Sequence, residues 1–170
     1  MKKSKWAFTL IELLIVIALL GALAVGLLAA LDPFEQLKKG TDTGIRNTVS
    51  EIHGATIRYY AIKTQMPFGS TLDWSSAASG YEDAISPIVT TGELKADFST
   101  LAGEQLENIY MVGTEENITV CFQPTSRSFR NDPNSKFVET GGDIEESADV
   151  QTECFDEVTS DDYSCYWCVF

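Results

Sequence analysis

The chain has 170 residues, a formal net charge of -13 and four cysteines. That length suits one domain with an added anchor, and the acidic balance disfavours nonspecific binding to phosphate backbones or anionic lipids. The charge is unevenly spread: Lys2, Lys3 and Lys5 stand at the start, residues 32–63 are nearly neutral, and from Thr64 onward 20 Asp/Glu face four Lys/Arg, a net of -16.

After the basic start the chain turns apolar, and from Phe8 to Leu31 the only charged side chain is Glu12. As a helix these 24 residues reach about 36 Å at ~1.5 Å per residue, enough for a hydrocarbon layer of roughly 30 Å. Lysines before the run, with Asp32 and Glu35 after it, favour an N-terminus kept in the cytoplasm and a body outside. Glu12 is the anomaly. A carboxylate among hydrocarbon tails costs several kcal/mol or more unless it is paired or protonated, so it marks function by default. A free amine on Phe8, made by a cut between Ala7 and Phe8, would be a fitting partner. It would lie one helical turn away on the same chain, or within reach of Glu12 on a neighbouring, axially offset helix.

The residues Lys-Lys-Ser-Lys-Trp-Ala followed by Phe8-Thr9-Leu10-Ile11-Glu12-Leu13 resemble the class III signal of type IV pilins and the related pseudopilins. The specific motif covers about thirty residues of the chain. The resemblance implies that a prepilin peptidase cuts at Ala7/Phe8 and methylates the new Phe8 amine. It implies that Glu12 guides assembly into a helical homopolymer. The family usually has Gly before the cut, where this chain has Ala7. A secretory signal peptide has a shorter apolar core, and a plain signal anchor leaves Glu12 unexplained.

Asp32-Pro33 interrupts the apolar run, since proline lacks the helical donor and clashes with the preceding turn. Gly40 and Gly44 weaken the next turns, so Pro33, Gly40 and Gly44 form the expected helix break. Beyond them Ile45, Val49, Ile52, Thr56, Tyr59 and Lys63 recur at helical spacing, which predicts an amphipathic helix laid on the head. His53, the only histidine, sits beside that stripe without a visible catalytic partner and reads as a packing or hydrogen-bonding residue.

Residues 65–80 are rich in turn-forming and small polar types, with Phe68 and Trp74 as anchors onto the core. Residues 81–94 read as a short helix interrupted at Pro87 and ending near Gly92. It lies where pilins place a variable loop, which is either a surface for subunit contacts or a solvated connector. From Leu106 the period changes to two: Ile109, Met111, Ile118, Val120 and Phe122 alternate around residues 114–117, a β-hairpin. Further strands are expected around 136–140, 150–155 and 164–170. Asn117-Ile118-Thr119 forms a glycosylation tripeptide of the kind that often arises by chance.

Residues 139–162 hold ten acids and no base. Asp143, Glu145, Glu146 and Asp149 are a weak calcium candidate, since Ca²⁺ takes oxygen ligands from flexible loops; a solvated acidic face is the stronger reading. Cys121, Cys154, Cys165 and Cys168 all lie in the external part and make an even set for two disulfides, with three possible connectivities. Cys165-Tyr-Trp-Cys168 lacks the following helix that a redox CxxC uses to lower its pKa, and a four-cysteine zinc site would normally pair two such motifs. No nucleophile motif, P-loop or HExxH stands in the chain, so no enzyme activity or cofactor is expected.

The expected architecture is α+β: a long N-terminal α-helix, first membrane span then amphipathic half, packed on a small antiparallel β-sheet head. Its segments are a cleaved leader 1–7, a transmembrane or filament-core helix 8–31, a kinked amphipathic continuation 32–63 and an acidic disulfide-stabilised head 64–170. The expected partners are copies of the chain itself, the prepilin peptidase and pilus assembly machinery, and the cytoplasmic membrane before assembly into an extracellular filament. A pseudopilin of a secretion or DNA-uptake system, and a signal-anchored extracellular binding module, are the alternative readings.

Overall fold

The computed structural model describes residues 8–30, 32–148, 154 and 164–170. The expected leader 1–7, including Ala7, lies outside them, as do Asp149 and most of the strand expected at 150–155. The chain divides into two compact units, Met1–Gln36 and Leu37–Phe170.

Helix α1 spans Leu10–Ala30 and helix α2 spans Pro33–Lys63. Pro33 opens α2 rather than kinking it, because the first helical turn needs no donor from proline. Asp32 supports that start: its Oδ1 accepts from the backbone N–H of Phe34 and of Glu35, both at 3.2 Å. The expected break at Gly40 and Gly44 is corrected, since α2 runs unbroken through both. Glycine lowers helix propensity by about 1 kcal/mol but keeps its N–H, and Asp42, between the two, is buried in head contacts described below.

Within the second unit the apolar stripe of α2 behaves as its spacing predicts. Ile45, Val49, Ile52, Thr56 and Tyr59 are buried together with Asp42 and Ala55, while Lys63 is exposed at the helix end. The stripe joins one core with Ile109, Met111, Ile118, Val120, Phe122 and Trp167 of a six-stranded antiparallel sheet. The strands are β1 Thr71–Ser76, β2 Ile109–Thr114, β3 Ile118–Phe122, β4 Ser135–Thr140, β5 Asp143–Glu146 and β6 Tyr166–Val169, in the order β1-β2-β3-β6-β4-β5. This is an α+β, pilin-like arrangement of one long helix on a curled sheet. Central strand β3 is buried at all five positions. Arg46 sits 5.1 Å over the Trp167 ring, and Arg58 pairs with Glu93 at 2.9 Å.

Strand β1 lies inside residues 65–80, read from sequence as rich in turn-forming and small polar types. It buries only Leu72 fully, as an edge strand among small polar residues does, so its alternation is faint. Trp74 on β1 stacks on Tyr110 at 5.2 Å between ring centroids, and Tyr166 meets both edge-on. Phe68, the other expected anchor, packs over Gly113, where a Cβ would fall 2.5 Å from its ring.

Residues 81–94 begin with a π-helical turn, Tyr81–Ile85, and continue as α3, Ser86–Thr90. Pro87 sits in the first turn of α3 instead of interrupting a helix. Gly92 at φ +84° reverses the chain, a left-handed position that favours glycine. Helix α4, Phe98–Ala102, a 3₁₀ turn at Gly103–Asn108 and helix α5, Arg127–Arg130, complete the head. These three are too short to show a period in sequence.

Candidate functional site

The described part of the first unit holds the candidate site. Thr9 and Glu12 form a reciprocal cap at the start of α1. The Thr9 hydroxyl accepts from the Glu12 backbone N–H at 3.3 Å. Glu12 Oε2 in turn accepts from the Thr9 N–H at 2.9 Å and the Thr9 hydroxyl at 2.6 Å. This is the capping box, Thr-x-x-Glu, which satisfies donors that a helix start leaves unpaired. The sequence carried that signature ahead of the apolar run, and the reading of Glu12 as an assembly carboxylate passed over it. Both bonds fall on Oε2. Among the described residues Oε1 has no hydrogen-bond partner.

The rest of α1 is apolar all round. Leu10–Leu28 is long and apolar enough to cross a membrane, and none of it is buried within the protein. Phe8, immediately before the helix, is 77% exposed. A helix with no polar face reaches its stable state in lipid or inside a protein bundle. Its only titratable side chain sits in the first turn, where a carboxylate is favoured by the positive end of the helix dipole.

The chain matches no family model, no curated protein and no solved structure.

The other residues singled out from sequence fall elsewhere. The four cysteines form two disulfides, Cys121–Cys168 and Cys154–Cys165. The first bridges paired positions of β3 and β6. Cys165 and Cys168 therefore belong to different bridges, and neither a redox CxxC nor a zinc set remains. Asp143, Glu145 and Glu146 lie on β5, paired along β4. Strand alternation puts Glu146 on the opposite face from Asp143 and Glu145, and Lys136 holds it at 2.8 Å. The calcium candidate thus does not converge as an acid cluster, and Asp149 lies outside the described residues. Among the described residues no three His, Cys, Asp or Glu gather as a metal site. His53 packs beside the core with Nε2 buried and without a hydrogen-bond partner among the described residues, and burial lowers its pKa.

The residue that sequence reasoning missed is Asp42. It is fully buried, and its carboxylate accepts from the backbone N–H and hydroxyl of both Thr125 and Ser126. Ser126 caps α5 as well, accepting from the Phe129 N–H. An Asp one residue ahead of a Thr-Gly pair looks like an ordinary exposed helix acid, and nothing local points to a partner in the head.

Proposed function

We propose that this chain is a structural subunit of a type IV pilus-like surface filament, cut before Phe8 and drawn from the cytoplasmic membrane into a helical homopolymer. The observation that carries the reading is the single carboxylate of an otherwise apolar helix, with Glu12 bonded to Thr9 through Oε2 and, among the described residues, no partner on Oε1. In this mechanism the α1 helices of many copies bundle and replace lipid by protein contacts. Glu12 Oε1 then pairs with the Phe8 amine of a neighbour. Low polarity in the bundle strengthens that pair and penalises a copy docked out of register, whose carboxylate would stay unpaired.

Intact mass spectrometry of material sheared from cells tests this reading. The expected chain begins at a methylated Phe8 and is four hydrogen atoms lighter before reduction of its two disulfides than after. Glu12→Gln is expected to insert in the membrane at normal levels and to yield few or no filaments. A full-length chain found only in membranes, or normal filaments from Glu12→Gln and Glu12→Ala alike, would overturn it.

A further inference from the structure

The sheet curls until its edge strands β1 and β5 come close. Where they meet, on the face turned away from α2, lies an open cleft of about 350 Å³. Such a volume is of the size that takes a small organic ligand. Asp73 of β1, Asp143 of β5 and Asn117 of the β2–β3 turn stand exposed around it. Phe170, 53% exposed, supplies an apolar wall. Thr119 lines it too and is only 7% exposed. None of these four polar side chains has a hydrogen-bond partner among the described residues. Thr119 lines the cleft, and its hydroxyl is not one of the buried side-chain atoms left without a partner among the described residues, which are those of His53 and Trp167.

The ligand these groups suit can be argued from their chemistry. Two carboxylates only accept hydrogen bonds, a hydroxyl and an amide both donate and accept, and an aromatic face takes C–H groups. The complement is a ring that alternates hydroxyls with an apolar face. Anionic ligands are repelled by both carboxylates and by a head of net -16. A bare ammonium would satisfy the carboxylates, yet it would leave most of the volume, the amide and the Thr119 hydroxyl unused. We infer that this cleft binds a neutral saccharide unit, with Asp73, Asp143, Asn117 and Thr119 bonded to its hydroxyls and Phe170 against its C–H face. The inference stands whether or not the chain assembles into filaments.

The test is saturation-transfer NMR on the full chain in a zwitterionic detergent. The probes are methyl glycosides of galactose, glucose, mannose and N-acetylglucosamine, with N-acetylneuraminic acid and spermidine as the anionic and cationic comparisons. At least one neutral glycoside is expected to bind saturably in the millimolar range, and N-acetylneuraminic acid to give no signal. Asp143→Asn and Phe170→Ala, both at exposed positions, are each expected to weaken binding tenfold or more while the melting curve stays put. Thr119→Val, which keeps the shape and removes the hydroxyl, is expected to do the same. The inference is overturned if no neutral glycoside saturates, if spermidine alone binds, or if affinity survives Asp143→Asn and Phe170→Ala.

Discussion

Asp42 of α2 receives two hydrogen bonds from Ser126, 84 positions away: the backbone N–H reaches Oδ2 at 2.7 Å and the hydroxyl at 2.6 Å. Thr125 adds its own N–H at 3.1 Å and its hydroxyl at 2.8 Å. One buried carboxylate thus holds the early part of α2 to the loop that follows β3 and caps α5.

Removing that carboxylate strands buried donors with no acceptor. Asp42→Ala is expected to cost about 3 kcal/mol, and Asp42→Asn, which turns an amide donor toward other donors, about 2 kcal/mol. Chemical denaturation of the full chain in detergent measures both. Hydrogen exchange is expected to quicken from Leu37 through Gly44, where two glycines leave little local helix propensity. Stabilities of both variants within about 0.5 kcal/mol of the parent would mean that Asp42 is not an anchor.

The two disulfides are expected to be unequal. Cys121–Cys168 closes a separation of 47 residues and Cys154–Cys165 one of 11. In the chain-entropy account the longer loop is worth about 4 kcal/mol and the shorter about 3 kcal/mol. Replacing the Cys121/Cys168 pair by Ser should therefore lower the denaturation midpoint more than replacing Cys154/Cys165. The reverse order would locate the main constraint in the short C-terminal loop.

Burial lowers the pKa of His53, and its Nε2 has no hydrogen-bond partner among the described residues. The folded state therefore binds its proton less readily than the unfolded chain, whose histidine titrates near 6.5. The unfolded state takes up more protons as pH falls through that value, so stability drops as pH falls from about 7 to the lowered folded pKa, and this group has no effect on stability above about pH 7. His53→Gln should flatten this part of the stability–pH curve. An unchanged slope between pH 7 and 5 would assign the effect to the carboxylates.

The α2 stripe was legible because five residues at helical spacing need a partner surface, and the β2–β3 hairpin because its alternation survives burial on one face. Strand β1 was not, since an edge strand with one fully buried side chain, Leu72, has almost no period. The acids of 143–146 read as a solvated run because β5 borrows its order from pairing with β4. At Glu12 the cap with Thr9 was written in four residues and is local, so it could have been read directly. The cleft at Asp73, Asn117, Asp143 and Phe170 could not, because its walls come from four separate elements.

By itself the sequence determined what depends on neighbours along the chain: an apolar helix of membrane length with one carboxylate, an interruption at Asp32-Pro33, an amphipathic stripe from Ile45 to Tyr59, and cysteines in an even set. Only the tertiary structure decided which cysteines join, that Gly40 and Gly44 leave the helix whole, where Asp42 finds its donors, and that the curl of the sheet brings Asp73 to Asp143. The physical reason is range. Helix caps and hydrophobic periodicity are settled within one or two turns, whereas a disulfide, a buried carboxylate and a cleft depend on residues that meet only after the sheet has closed on the helix.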